Sequence, residues 1–206
     1  PKSEKGFGMY QKAKELSKKN NWFFARQFEN SANAKIHENT TAREILSDFK
    51  NEKLDYWVTG YGTGGTVTGV GKVLKTELPN IKIILAEPEN AALLSNGISQ
   101  ERNSLNEPTK SHPSWSPHLI QGWTPDFIPY VIQESINEGY YDEVKTVSSE
   151  KGIFWAHKLA KHEGIITGIS GGSTFAISIE IAKKAKKGSV ILCMLPDTGE
   201  RYLSSP

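Results

Sequence analysis

Short apolar runs alternate along the chain with segments in which apolar residues recur at helical spacing. The runs are rich in β-branched and aromatic residues, which is typical of buried strands. They predict strands at residues 22–25, 56–59, 81–86, 143–147, 165–167 and 190–195. Strands that alternate with helices favour an α/β fold, a three-layer sandwich with a mostly parallel, twisted sheet.

The segments between the runs predict the helices. Amphipathic spacing indicates helices at residues 7–19, 43–50, 67–74, 148–160 and 174–187, and a short one at 91–94. Ser148 is the expected N-cap of its helix, with Glu150 in the first turn. The polar segment 26–41 is predicted to be a turn-rich crossing between domains. Segment 97–129 contains five of the ten prolines and is predicted to be a long loop, a kind of segment that is usually functional or mobile.

Composition excludes several classes of function. The net charge of +2, from 25 basic and 23 acidic residues, gives no reason to expect nucleic acid as a partner. No apolar run approaches the ~20 residues that span a bilayer, and no secretory leader opens the chain, so we expect a cytoplasmic protein without a membrane partner. Cys193 is the single cysteine, which excludes an internal disulfide. Because the chain opens at Pro1 without a methionine, we expect a piece of a longer protein.

A glycine-rich turn follows the strand predicted at residues 56–59. It contains Gly60, Gly62, Gly64 and Gly65, and a helix begins directly after it. A strand, a glycine turn and a helix N-terminus together form an anion site, because free backbone N–H groups converge there and the helix dipole favours negative charge. The hydroxyls of Thr63 and Thr66 add two donors. The stretch therefore predicts a phosphate-binding loop.

The same turn also fits the dinucleotide-binding pattern. Gly60, Gly62 and Gly65 satisfy G-x-G-x-x-G, and Glu87 ends the next strand, where a ribose-binding acid is expected. A nicotinamide-binding oxidoreductase therefore remains an alternative. A second glycine turn, 168–173, precedes the helix predicted at 174–187, and there Ser170 is either a ligand contact or a helix cap. The five histidines show no metal-ligand spacing, and no metal site is predicted.

Several further motifs resemble those of one enzyme family. Residues 27–37 read QFENSANAKIH, close to QFENPANPKIH; 62–66 read GTGGT; 117–122 read PHLIQG, close to PHKIQG; 168–172 read GISGG, close to GISSG; and 196–204 read PDTGERYLS, nearly a C-terminal signature. These motifs, in this order, are similar to the cysteine synthase (O-acetylserine sulfhydrylase) family. Its members are pyridoxal-phosphate (PLP) enzymes of fold type II, the tryptophan synthase β-like fold, and the resemblance covers their C-terminal portion.

The resemblance implies a role for individual residues. Five would hold the PLP phosphate: Gly62, Thr63, Gly64, Gly65 and Thr66. Ser170 would hydrogen-bond the pyridine nitrogen, giving a milder electron sink than a carboxylate would. Gln27, Gln121 and Gly122 would line the substrate site, and segment 200–202 would be structural. The implied reaction converts O-acetyl-L-serine and sulfide to L-cysteine and acetate by β-replacement.

The resemblance also has gaps. The Schiff-base lysine of the family belongs before Pro1, so no catalytic residue is assigned here, and we expect this chain alone to be inactive. Thr124, Pro125 and Asp126 replace a small Gly-Ala-Gly, which leaves the pocket size open. The implied division is the end of an N-terminal subdomain at 1–30 and the large PLP domain at 31–206. Family members are usually homodimers, some bound by serine acetyltransferase; a truncated, non-catalytic binding protein is a further alternative.

Overall fold

A computed structural model describes residues 5–204 of the chain. Its seven helices within this range are α1 (Lys5–Asn20), α2 (Ala32–Asn39), α3 (Thr41–Asp48), α4 (Gly65–Glu77), α5 (Gln133–Glu138), α6 (Ser149–Glu163) and α7 (Ile169–Ala182). The strands are β1 (Tyr56–Gly60), β2 (Lys82–Pro88), β3 (Glu143–Val147) and β4 (Ile191–Cys193). Short 3₁₀ turns lie at Glu89–Ala91 and Gly199–Tyr202. No helix in the described range is long and apolar enough to cross a membrane.

The four strands form one parallel sheet in the order β3-β2-β1-β4. Tyr56 lies opposite Lys82 on one side and opposite Ile191 on the other, which fixes the register of β1 between its neighbours. Side chains alternate between the two faces of the sheet along each strand, and helices pack on both faces. Val58 packs in a cluster with Ile177 of α7, whereas Trp57 packs with Leu74 of α4. The predicted three-layer α/β class is confirmed.

Of the six predicted strands, three agree closely with the structure, the one predicted at 190–195 is shortened to β4, and two do not exist. Residues 22–25 are not a strand: Trp22 is 62% and Phe23 91% exposed, and the run has no sheet neighbour. Residues 165–167 form no strand either, since only Thr167 makes an isolated bridge, to Thr198. Apolar residues alone could not produce a strand at either place, because a strand also needs a partner for its backbone groups.

The segment predicted as a polar crossing, 26–41, contains helix α2. Only Ala34 of this helix is buried, so its sequence lacks the apolar stripe that predicts a helix. Its position depends on α4: Gly69 has no side chain, and the carbonyl of Ala34 lies where a Cβ would be. Packing against α4, not an apolar stripe in its own sequence, therefore fixes the position of α2. Helix α5, which follows the long loop, was not predicted.

The second glycine turn is also different from the prediction, because residues 169–173 belong to α7. The helix begins five residues earlier than predicted. It packs on α6, where Gly152 of α6 and Gly172 of α7 let the two helices touch. A Cβ at Gly172 would overlap the carbonyl oxygen of Gly152, and a Cβ at Gly152 would overlap Ser173 Oγ. Helix α6 begins as predicted: Ser148 Oγ accepts a hydrogen bond of 3.2 Å from the N–H of Lys151.

Helix α1 packs on the long loop. Tyr10 is 1% exposed, with its ring 6.0 Å from that of Phe127. Glu107 of the loop is buried and pairs with Lys14 of α1 at 2.6 Å and with Arg26 at 3.4 Å. These contacts hold the first described residues against the same body that carries the sheet. A domain boundary near residue 30 remains a prediction.

Candidate functional site

The glycine loop lies at the carboxyl end of β1 and leads directly into α4. Gly64 has a φ of +88°, a left-handed conformation that a residue with a Cβ adopts at a cost. Thr63 Oγ1 accepts hydrogen bonds from Asn33 Nδ2 at 2.8 Å and from the N–H of Gly65 at 3.3 Å. Because a hydroxyl has one proton and two lone pairs, Thr63 keeps its own O–H to donate to a ligand.

A cleft of about 490 Å³ opens beside this loop. Its wall contains most residues predicted for the site: Gly62, Thr63, Thr66, Gln121, Gly122 and Ser170. Gly62 meets the carbonyl of Gly122 so closely that a Cβ there would overlap it, which joins the loop to the far wall. The structure thus brings the predicted phosphate loop and Ser170 to one cleft whose volume suits a cofactor. A larger groove of about 740 Å³, lined by Glu29 and Lys72 among others, contains none of the predicted site residues.

The other predicted site residues have different positions. Gly64 and Gly65 are buried beneath the loop and support its shape. Gln27 is exposed and does not line the cleft. Its backbone carbonyl accepts a hydrogen bond of 2.9 Å from Asn33 Nδ2, the same group that contacts Thr63. The segment of Gln27 is therefore tied to the loop through Asn33.

The cleft also contains residues that the sequence did not reveal: His37, Trp123, Asp197 and Tyr202. Trp123 is 8% exposed, and its ring lies over Gly60, where a Cβ would overlap it. Residues 200–202, predicted to be structural, bring Tyr202 into the cleft wall. For Asp197 and Tyr202 the available signal was their place in the C-terminal motif at 196–204.

His37 connects the loop to α3. Its Nε2 lies 3.3 Å from Thr66 Oγ1, and its Nδ1 lies 3.0 Å from Thr41 Oγ1. Burial lowers the pKa of His37 from the ordinary value of 6.5, because the charged form loses hydration. A neutral imidazole donates from one nitrogen and accepts at the other, so it can fix both threonine hydroxyls.

Ser170 lies in the first turn of α7 and is 3% exposed. Its hydroxyl donates to Asp197 Oδ1 at 3.4 Å, and the hydroxyl of Tyr202 donates to Asp197 Oδ2. The hydrogen bond to Asp197 is the largest contribution that raises the pKa of Tyr202 to about 12. Tyr202 is therefore protonated, and a donor, at neutral pH.

Glu87 does not occupy a ligand site. It is fully buried, and its carboxyl oxygens accept hydrogen bonds from Tyr61 OH at 3.1 Å and from the N–H groups of Leu94 at 3.1 Å and Ser95 at 3.0 Å. A carboxyl group that is fully buried and lies outside the cleft cannot reach a ribose bound there. The residue on which the dinucleotide interpretation depended is thus part of the core.

The donors of the cleft fit a phosphate ester. The first turn of α4 has N–H groups without intrahelical acceptors, and the hydroxyls of Thr63 and Thr66 stand beside them. No lysine or arginine of residues 5–204 lines the cleft, so backbone and hydroxyl groups would carry the phosphate. No group of three or more metal-ligating side chains is present in that range. The residues present fit the phosphate ester of PLP.

Comparison with known proteins identifies the class that this fold and site define. The family model described as pyridoxal-phosphate dependent enzyme matches residues 7–197, and the chain belongs to that family. Within it, the chain is similar to cysteine synthases: it is 41% identical to the cysteine synthase of Staphylococcus aureus over 206 residues, 100% of the chain and 60% of the relative. It is 45% identical to the O-ureido-L-serine synthase of Streptomyces lavendulae over 193 residues, 94% of the chain and 53% of the relative.

Solved structures agree with this assignment. The crystal structure of O-ureido-L-serine synthase superposes with a TM-score of 0.87 at 42% identity, covering 100% of this chain and 58% of that one. The O-acetylserine dependent cystathionine β-synthase of Helicobacter pylori superposes with a TM-score of 0.83 at 33% identity, covering 100% and 60%. The chain spans between half and two thirds of the length of these relatives. The reported relatives give the nicotinamide alternative no support.

Proposed function

We propose that this chain carries the cofactor cleft of a PLP-dependent enzyme that makes L-cysteine from O-acetyl-L-serine and sulfide, with release of acetate. One observation supports this most strongly: the glycine–threonine loop, Ser170, and the pair Gln121 and Gly122 line a single cleft. The resemblance in sequence predicted these residues as one site, although they are up to 108 positions apart, from 62 to 170.

The proposed roles follow from the donors available. Gly62, Thr63, Gly64, Gly65 and Thr66 hold the phosphate, through backbone N–H groups at the start of α4 and through two hydroxyls. Ser170 faces the pyridine nitrogen from the opposite wall. Gln121 and Gly122 contact the amino-acid substrate, and Gln27 reaches it only after its segment moves, because its side chain is outside the cleft here. When bound, PLP supplies the electron sink for replacing the group on the β-carbon.

Other parts of the proposal concern the whole protein. A lysine outside these 206 residues forms the Schiff base, and this chain alone is inactive without it. The first 30 residues end an N-terminal subdomain, and residues 31–206 form the large PLP domain. We also propose a cytoplasmic homodimer and an association with serine acetyltransferase, on the family resemblance.

The nucleophile distinguishes two candidate reactions. Sulfide gives L-cysteine, as in the cysteine synthases, whereas hydroxyurea in the same replacement gives O-ureido-L-serine. The second candidate is favoured by the 45% identity to O-ureido-L-serine synthase, higher than the 41% to cysteine synthase. Sulfide is our first choice because the motifs that predict the site, including PDTGERYLS at 196–204, are similar to those of the cysteine synthase family.

The test uses the full-length protein that contains this chain. It is loaded with PLP, dialysed, and incubated with O-acetyl-L-serine and either sulfide or hydroxyurea, and the amino-acid product is identified by mass spectrometry. We expect L-cysteine with sulfide. Thr63→Val should weaken PLP binding, whereas Thr76→Val, which removes an exposed hydroxyl of α4 bonded to the carbonyl of Lys72, should not. Failure of the wild-type protein to bind PLP would overturn the proposal.

A further inference from the structure

Trp123 forms part of the cleft wall beside the end of β1. It lines the cleft directly after Gln121 and Gly122, the residues proposed to contact the amino-acid substrate. Its indole ring lies against Gly60, so closely that a Cβ at Gly60 would overlap three of the ring carbons. Only 8% of the residue is exposed, and it packs in the cluster that contains Val58 of β1. A large, flat side chain thus stands where the substrate contacts meet the end of the sheet.

The segment that carries Trp123 is fixed through its backbone. The N–H of Thr124 donates a hydrogen bond of 2.9 Å to the carbonyl of Tyr61 in the glycine loop. The carbonyl of Thr124 accepts hydrogen bonds from Trp115 Nε1 at 3.0 Å and from His118 Nε2 at 3.2 Å. Thr124 is 1% exposed and has a φ of +30°, which a residue with a Cβ adopts at a cost. Because these contacts hold a strained residue, we expect the ring of Trp123 to stay in place rather than swing aside.

A fixed ring limits the size of the group that can reach the substrate. The cleft of about 490 Å³ must hold both the cofactor and the amino acid. A nucleophile that enters beside Gln121 and Gly122 therefore meets the ring of Trp123. Forcing additional atoms into a packed site costs ~1–3 kcal/mol, because side chains leave their preferred rotamers. Sulfide and hydroxyurea add few atoms, whereas a thiol that carries a phenyl group adds many.

We propose that Trp123 is a specificity-determining residue, which admits small nucleophiles to the cleft and rejects thiols with a bulky substituent. This inference rests on the proposed function, which places the replacement reaction in this cleft. In the net reaction with a thiol, the bond between the β-carbon and the acetate oxygen breaks and acetate leaves with the bonding electrons. The bond between sulfur and the β-carbon forms, and the thiol proton is released. The resemblance leaves the pocket size open at residues 124–126, and Trp123 sets it from the adjacent position.

The first test compares a small and a bulky nucleophile. The full-length protein is loaded with PLP and given O-acetyl-L-serine with either sulfide or benzyl mercaptan, and the amino-acid products are quantified by mass spectrometry. The measured quantity is the ratio of kcat/KM for benzyl mercaptan to kcat/KM for sulfide. Trp123→Leu should raise this ratio at least tenfold, which corresponds to ~1.4 kcal/mol. Trp123→Phe should raise it by less, because more of the ring remains.

A second measurement reports the same size limit without turnover. The dissociation constants of L-cysteine and S-benzyl-L-cysteine are measured by isothermal titration calorimetry. The affinity for S-benzyl-L-cysteine relative to L-cysteine should rise at least tenfold from the wild-type protein to Trp123→Leu. A loss of stability in the variant would weaken the binding of both amino acids and would not change their ratio.

Trp155→Leu is the matched control. Trp155 of α6 is half-buried and packs against the same cluster as Trp123, but it does not line the cleft. It should leave both ratios unchanged. Unchanged ratios in folded Trp123→Leu and Trp123→Phe variants would overturn the inference alone, and so would a wild-type protein that uses benzyl mercaptan as readily as sulfide. Absence of PLP binding by the wild-type protein would instead overturn the proposed function, and this inference with it.

Discussion

The side-chain amide of Asn33 donates a hydrogen bond of 2.8 Å to the hydroxyl of Thr63 and another of 2.9 Å to the backbone carbonyl of Gln27. One amide therefore joins the segment before α2 to the glycine loop. Because Thr63 Oγ1 accepts this bond, its own proton is directed elsewhere, toward the cleft. Asn33 thus orients the hydroxyl of a residue 30 positions away in the sequence.

Asn33→Ala should weaken PLP binding without unfolding the protein. Thr63 would lose the hydrogen bond that it accepts from Asn33. Such a bond is worth ~0.5–1.5 kcal/mol, which corresponds to a roughly two- to tenfold rise in the dissociation constant. Equilibrium dialysis with PLP measures it. Asn137→Ala is the control, because Asn137 accepts a hydrogen bond from Gln133 on an exposed part of α5. Equal affinities of the Asn33 variant and the wild-type protein would show that Thr63 needs no such partner.

Gly64→Ala should destabilise the protein more than Gly97→Ala. Both glycines have positive φ angles, +88° and +74°, where a Cβ costs ~1–2 kcal/mol. The surroundings differ: a Cβ at Gly64 would meet Ile132 Cβ at 2.5 Å, whereas nothing lies within 4 Å at Gly97. Urea denaturation should therefore give a loss of at least ~2 kcal/mol for the first variant and about half of that for the second. Similar losses would mean that Ile132 moves aside freely.

Glu87→Gln should cost about 1–3 kcal/mol in the free energy of unfolding. The amide NH₂ must face a donor that the carboxyl oxygen had accepted, so at least one buried N–H or O–H loses its partner. Glu89→Gln, at an exposed position in the turn that follows β2, is the control and should change stability by less than ~0.5 kcal/mol. Tight binding of NAD by the wild-type protein, lost in Glu87→Gln, would contradict this view of Glu87.

Acidification should destabilise the fold partly through His37. The folded protein holds the pKa of this residue below 6.5, so below that pH the unfolded chain binds a proton that the folded chain does not. Proton binding then stabilises the unfolded state, and the free energy of unfolding falls as the pH drops from about 6.5 toward the folded pKa. Above that window His37 is neutral in both the folded and the unfolded state, and it does not lower the stability.

His37→Gln should flatten this part of the pH dependence, measured as urea midpoints at several pH values. The matched variant His157→Gln removes an exposed histidine of α6 and should leave the slope as it is. His118 has a pKa lowered by burial as well, so some acid dependence should persist in the His37 variant. An unchanged slope in His37→Gln would show that His37 is protonated equally in both states.

Much of the sheet could be predicted from sequence because its strands are local apolar runs with clear ends. Strand β3, Glu143–Val147, has the predicted bounds, and β1 and β2 differ by only a residue or two at each end. The prediction failed where structure depends on contacts distant in sequence. Trp22 and Phe23 are apolar without a strand partner, and α2 is polar yet helical because it packs on Gly69.

The candidate site, like the sheet, was predicted where the signal is local in sequence and missed where it depends on contacts distant in sequence. Residues in separate motifs, such as Thr63 and Ser170, were predicted together and do line one cleft. The partners that set their hydrogen bonds were not predicted, since Asn33, His37 and Asp197 lie on other parts of the chain. A sequence pattern identifies the groups that meet a ligand more readily than the groups that orient them.

The contact between Gly152 and Gly172 has a consequence for the chemistry some distance away. Ser170 lies on α7, and the close approach of α7 to α6 depends on the absence of a side chain at Gly152 and Gly172. A single methyl group there would shift the whole helix outward and carry the serine with it. The shape of the cleft can thus be altered by a substitution outside it, and screens confined to the residues that line the cleft would overlook such a change.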